Sequence, residues 1–410
     1  MGGKPWAGVC KNVGQGICLV TMQKAPPFPI TRAALSGLLA MFVSIGVARF
    51  GFAPLVPALA KAHWYSAAGA FWLGTVNLAG YFFGAAVMRV WRRPFPAKPV
   101  VLLFMGLTSA ATLGSALNWG WGWFGFWRLV SGITGGILMV LMAAAVVGRA
   151  PSAARGRVSG ITFAGMGAGT AFSAILVPLL LAKGLVFTWM LLGLVCVLAT
   201  LAVAVMMPAA RIEPSARHES KGLPPRPVLL MIGAYALTAL GFVPHMLFLS
   251  SFAALGLHRG VAAGAQVAAW LGIAAMLGPP VLGRVADRFG FLPTLGIGYV
   301  VMGCAVALPL LVDAQFALIC SAIAVGAVAL GAVMLVAGAI AGMVPAARLP
   351  GDWGLATMVY AVMQALVAAM FSNLFHITGS YGLLFAIGAA AMVVAVLLIL
   401  LSARLNTKVH

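Results

Sequence analysis

Long apolar runs alternate with short polar breaks along the whole chain. Twelve runs approach the roughly 20 residues a helix needs to cross a bilayer. They cover 34–58, 69–90, 99–117, 121–147, 158–181, 185–207, 228–252, 263–283, 292–312, 315–342, 353–376 and 381–403, and are called spans one to twelve. The breaks hold Gly, Pro, Arg and Lys, as turns between successive helices do. The predicted fold class is therefore all-α integral membrane. The longest break between spans, PAARIEPSARHESKGLPPRP at 208–227, parts six spans from six. The predicted organisation is a tail over 1–32, a six-helix bundle over 33–207, the linker, a second bundle over 228–403 and a tail over 404–410. Met22 within the first tail is an alternative start.

The halves echo each other. Gly51-Phe52-Ala53-Pro54 in span one has its counterpart in Gly241-Phe242-Val243-Pro244 in span seven. Two pseudo-symmetric six-helix bundles around a central cavity is a transporter plan, with solute bound near the midplane between the repeats. Small residues four apart, Gly80/Gly84, Gly132/Gly136, Gly165/Gly169 and Gly338/Gly342, put backbone-to-backbone contact on one helix face.

Composition agrees: 63% of residues are hydrophobic and 7% charged, against about a quarter charged in a soluble protein. The net charge of +20 invites a nucleic-acid reading, which its distribution removes. With both termini cytoplasmic, twenty of the 25 basic residues fall on cytoplasmic segments. Three, Lys61, Lys183 and Arg259, fall on external ones, and Arg49 and Arg128 lie inside spans. That is the positive-inside pattern, with membrane lipid headgroups as secondary partners. Residues 1–32 lack the layout of a signal peptide. Cys10 and Cys18 lie in the tail and Cys196, Cys304 and Cys320 in spans, which implies neither a disulfide framework nor a metal site.

The five carboxylates avoid the middle of every span. Glu213 and Glu219 are in the linker, Asp313 is in an external turn, and Asp287 and Asp352 mark two cytoplasmic sites between helices. A charge at mid-bilayer depth costs about 3 kcal/mol or more, so Arg49 and Arg128 call for a function. Arg49 has no acid in any span to pair with. An unpaired guanidinium in a cavity suits a carboxylate or phosphate, which it grips as a fork. Helical spacing aligns Asn77 with Tyr81 in span two and Tyr360 with Gln364 in span eleven. His245 is the deep group able to carry a proton. The candidate substrate-binding set is Arg49, Asn77, Tyr81, Arg128, His245, Tyr360 and Gln364. Each has a plainer reading: helix bridging for Asn77 and Gln364, packing for the tyrosines, service to carbonyls freed by Pro244 for His245, snorkelling for Arg128. Trp119, Trp121 and Trp123 read as an interfacial belt. No HExxH, GxSxG, paired intramembrane carboxylates or Cys/His cluster occurs, so neither an enzyme nor a cofactor is expected.

Gly283-Arg284-Val285-Ala286-Asp287-Arg288-Phe289-Gly290, between spans eight and nine, resembles the loop signature of the major facilitator superfamily. A tight turn there presents Asp287 and Arg288 beside neighbouring helix ends, where a carboxylate attracts a helix N-terminus. The equivalent loop after span two has Met88 in the place of the acid, so Arg89 or Arg92 is expected to pair with Asp352 at the start of span eleven. The expected gating set is Arg89, Arg92, Gly283, Asp287, Arg288, Gly290 and Asp352. Arg128-x-x-x-Gly132-x-x-x-Gly136 is similar to the superfamily's fourth-helix motif. Gly165-Met166-Gly167-Ala168-Gly169-Thr170 matches its antiporter motif in part, without the Gly-Pro step. Gly46 to Pro57, Asn77-Leu78-Ala79-Gly80-Tyr81 and Thr378-Gly379-Ser380-Tyr381 resemble the YbfB/YjiJ branch of bacterial transporters. The resemblance implies a pathway ringed by spans one, four, seven and ten, flanked by two, five, eight and eleven. The function expected is secondary active transport of a small solute, an organic anion by the argument from Arg49. The setting is the bacterial inner membrane, with alternating access, a coupling proton as a candidate second cargo and a monomeric carrier. The alternatives are a drug or metabolite exporter of the same fold and, more remotely, a transporter-shaped sensor.

Overall fold

The structure, a computed structural model, describes residues 6–11, 19–24, 30–91, 94–150, 152–209, 211–212, 223–345 and 348–406. Among the described residues, twelve helices are long and apolar enough to cross a membrane. They run Ile30–Lys61, Ala67–Val90, Ala97–Gly114, Trp121–Val147, Ser152–Leu181, Leu185–Met206, Arg226–Gly256, Gly260–Phe289, Phe291–Leu311, Gln315–Ala341, Leu349–Thr378 and Tyr381–Asn406. Each contains or overlaps one of the expected spans.

The structure departs from the expected elements in two places. The signature at 283–290, expected as a tight turn, is mostly helical: span eight continues through Phe289. The signature carries no proline and no positive-φ residue before Gly290, whose φ of 90° a side chain would oppose, so the helix runs on to that point. In the N-terminal tail, Trp6–Lys11 and Leu19–Lys24 form an antiparallel two-stranded ribbon. A second short ribbon joins Phe95–Pro96, after span two, to Arg211–Ile212 in the linker. Arg149 also donates to the Arg211 carbonyl (3.2 Å) and Arg348 to that of Leu223 (3.0 Å), so both halves hold the linker.

Within each half the helices close on glycine. A Cβ at Gly132 or Gly136 would stand well inside van der Waals contact distance of the Asn77 or Tyr81 carbonyl oxygen in span two. One at Gly80 or Gly84 would meet the Leu129 or Ile133 carbonyl in span four. Gly165 sits equally tight on Leu38, and Gly338 on the Phe291 ring, whereas Gly342 lies in open contact. Most of the predicted small-residue pairs are thus helix crossings.

Spans one and seven are both broken where the sequence repeats. Span one is α-helical over Ile30–Met41, widens to a π-turn over Phe42–Val47, tightens to 3-10 geometry over Phe50–Leu55 and resumes over Val56–Lys61. Pro54 lacks the N–H that a continuous helix needs. Span seven widens at Pro244–Phe248 and again at Phe252–Gly256. Both spans end in a turn with a left-handed histidine, His63 at φ 55° and His258 at φ 54°.

The end of the bundle where the chain termini and the linker lie is the terminal end; the other is the far end. Toward the far end the halves are pressed together. Phe71 of span two, Phe248 of span seven, Phe375 of span eleven and Tyr381 of span twelve interlock, with Phe71 4.1 Å from Phe248 and 4.9 Å from Phe375. Thr75 and Ser372 hydroxyls meet across the same seam at 2.9 Å. Spans five and eight cross with Gly167 on Met276 and Gly272 on Ala171. Toward the terminal end, Ile30–Met41 and Arg226–Val243 pack chiefly within their own halves, as do spans four and ten. The ring and hydroxyl contacts between the halves thus gather toward the far end.

Candidate functional site

The break in span one creates the site. Phe52 N donates to the Arg49 carbonyl (3.4 Å), so the Ala48 carbonyl is left without its helical partner. Arg128 of span four supplies the replacement: its Nη1 donates to Ala48 O at 2.6 Å, and its guanidinium lies 4.2 Å from the Phe52 ring centre. Asn77 of span two fixes that arginine's backbone, donating to Arg128 O (3.0 Å) and Ser131 Oγ (2.8 Å). Asn77 and Arg128 are therefore built into the support of the break, and both are buried.

Arg49 emerges from the break at the seam between the halves. It is 8% exposed. Its Nη2 donates to Gln364 Oε1 of span eleven at 2.6 Å, and Met246 Sδ of span seven stands 3.9 Å away. The guanidinium lies over Tyr81 at 4.6 Å and near Phe50 at 5.4 Å. Nε has no hydrogen-bond partner. Among the described residues, no carboxylate comes within ion-pair distance of Arg49. A buried cation is held by an amide, a thioether and two π faces, which leaves its charge uncompensated. Tyr81 lies ten residues along span two from Phe71, about 15 Å by helical rise, so the cluster is near mid-bilayer, on the terminal side of the aromatic seal.

His245 sits beside this cluster, next to Met246. Ser321 Oγ donates to the Ala305 carbonyl at 2.6 Å, so it accepts from His245 Nε2 at 2.7 Å. That fixes the tautomer with hydrogen on Nε2. The ring also borders a small cavity at the seam lined by Phe50, Thr170, Met246 and Ser250. Tyr360 does not meet Arg49 by any hydrogen bond among the described contacts. It stacks on Tyr235 at 4.5 Å, and Tyr235 in turn faces Trp353 at 6.3 Å.

The gating residues are spread around the terminal end. Asp287 and Arg288 are exposed, Arg288 lying 5.5 Å from the Phe289 ring centre. Gly283 is in contact range of Met334. Asp352 is buried and pairs with Arg348, one turn earlier, at 3.5 Å. The side chain of Arg89 and the whole of Arg92 lie outside the described residues, so the expected pairing with Asp352 does too. Of the interfacial tryptophans, Trp119 is 68% exposed and Trp123 donates to Gly114 O at 2.9 Å, capping span three.

Sequence reasoning missed the aromatic seal and Met246. A phenylalanine or methionine in an apolar span carries no mark that sets it apart. Arg348 was within reach, because it precedes Asp352 by one helical turn.

No curated protein matches the chain. In fold it is similar to the crystal structure of PepTSo, a POT family transporter solved in meso: the TM-score is 0.72 at 14% identity, over 93% of this chain and 99% of the other. The sequence family described as "Uncharacterised MFS-type transporter YbfB" matches residues 41–400. The chain accordingly belongs to the YbfB-type family of major facilitator transporters, a multi-pass membrane protein and not an enzyme.

Proposed function

We propose that this transporter carries a small organic anion across the bacterial inner membrane by alternating access, with the terminal end facing the cytoplasm. The carrying observation is Arg49: a buried cation at the seam, near mid-depth, whose partners are all neutral. The orientation is supported by the excess of Lys and Arg at the terminal end.

In this reading the anion enters from the terminal end, where spans one and seven pack chiefly within their own halves. Its carboxylate or phosphate takes the free Nε edge of Arg49 and competes with Gln364 for Nη2, forming a forked pair. Because Arg49 belongs to one half and Gln364 to the other, the exchange loosens a polar tie across the seam and favours the alternative packing. His245 is the proton site in this scheme. Its ring neighbours Met246, which touches both Arg49 and Gln364 (3.9 and 4.0 Å), so charging the imidazole acts on the anion site through one side chain.

Gln364→Glu tests the competition. A carboxylate at that position pairs with Arg49 and displaces the substrate, so the KM for uptake into liposomes is expected to rise about tenfold or more, an effect of at least ~1.4 kcal/mol. An unchanged KM contradicts the role of Arg49 as the anion site. The exporter reading draws on the stacked wall of Tyr235, Tyr360 and Trp353. It requires a neutral or cationic aromatic solute to be carried as well by Arg49→Ala as by the parent protein.

A further inference from the structure

A groove of about 370 Å³ opens on the membrane-facing side of the far end, between span five of one half and span eight of the other. Its floor is small, Ala174, Ala265 and Ala269, and its walls are Ile175 and Pro178 on one side and Trp270 and Ile273 on the other. Ile175 and Trp270 are 56% and 40% exposed, which at this depth means exposed to lipid. The volume is that of a ligand pocket, and the lining suits a hydrocarbon chain.

Charge identifies the other end of the occupant. Three basic residues stand at the far end, Lys61, Lys183 and Arg259; Lys183 comes after the span-five wall of this groove and Arg259 comes before its span-eight wall. Lys183 is exposed in the turn two residues beyond Leu181, where the span-five wall ends, with its ammonium 5.2 Å from the Phe187 ring centre. Arg259 precedes span eight by one residue and is exposed. It is wired to the groove: Arg259 Nη1 donates to Gln315 Oε1 (3.4 Å), and Gln315 Nε2 donates to Oε1 of the lining Gln266 (3.1 Å). No carboxylate pairs with Arg259 among the described residues.

We propose that this groove binds one anionic phospholipid of the far leaflet, an acyl chain lying between spans five and eight and the headgroup phosphate between Arg259 and Lys183. Both halves build the groove, so it has this shape only while the far end is closed. The lipid therefore binds the far-closed state preferentially and stabilises it. The inference holds whatever solute the transporter carries.

Native mass spectrometry of the purified protein with phosphatidylglycerol or phosphatidylethanolamine tests it. One phosphatidylglycerol is expected to be retained in preference to phosphatidylethanolamine. Arg259→Ala lowers that preference about fivefold, and the double variant with Lys183→Ala abolishes it. Ala262→Phe, at an exposed position on the rim, reduces retention of both lipids while leaving the solution melting temperature unchanged. Lys61→Ala, the third far-end cation, leaves retention unaltered. Equal retention of the two lipids by the parent protein overturns the proposal. So does a loss in Lys61→Ala as large as in Arg259→Ala, which points to diffuse surface charge.

Discussion

Arg49→Ala is expected to abolish transport in proteoliposomes while the protein still inserts, purifies as a single species and melts cooperatively. Both halves of that expectation follow from the contacts. The guanidinium donates to Gln364 and, weakly, to Met246, and lies over Tyr81 and near Phe50. Its removal exposes no buried countercharge. The carbonyl at the break in span one is satisfied by Arg128, not by Arg49, so the local fold survives. What is lost is the charge that binds the solute. Truncating one member of a desolvated charge pair costs about 2–5 kcal/mol, or about 30-fold to several-thousand-fold in affinity. Arg49→Lys keeps the charge but not the planar fork, and is expected to retain weak transport at raised KM. Radiolabelled uptake against reconstituted protein mass checks both variants. Arg128→Ala gives the contrasting result: it orphans the Ala48 carbonyl and leaves Phe52 without its cation, so it lowers the melting temperature as well as activity.

Gly132→Val is the second large effect, and it strikes the fold. Gly132 faces the Asn77 carbonyl at a separation no Cβ tolerates, and Gly80 returns the contact from span two. Both sides of the crossing are backbone, so no side chain can move aside. Spans two and four must part, and the parting breaks the Asn77 bonds to Arg128 O and Ser131 Oγ. Overpacking of a tight interior costs about 1–3 kcal/mol even where relaxation is possible; here the loss of a buried polar network adds to it. Membrane-inserted protein, measured by fluorescence-detected size exclusion, is expected to fall several-fold and to melt lower than the parent. Gly106→Val, in span three where nothing stands near the missing Cβ, is the control expected to behave as the parent.

The helices were legible because a membrane span is written in bulk: about twenty apolar residues and a flanking bias of charge. The break in span one was half legible. Pro54 and its repeat Pro244 announce a disturbed helix, but the widening at Phe42–Val47 precedes the proline, and its Ser44 and Gly46 are residues that unbroken spans also carry. Arg49 stood out through its charge, Tyr81 and Gln364 through their fourfold spacing from polar neighbours, and the structure gathers these three. It sets Asn77 and Arg128 against the break one layer behind, a distinction that depends on which carbonyl is left over and so on backbone geometry. The aromatic seal depends on rotamers and helix rotation across a seam between halves some 170 to 300 residues apart.

The central claim is that Arg49 is an anion site awaiting its solute. A thermal-shift screen of the purified transporter against organic carboxylates, organic phosphates, amino acids and cationic drugs tests it most directly. The account predicts that one anionic class raises the melting temperature in a concentration-dependent way, that Arg49→Ala abolishes the shift and that Arg49→Lys weakens it. Stabilisation by a neutral or cationic solute that persists unchanged in Arg49→Ala would contradict it.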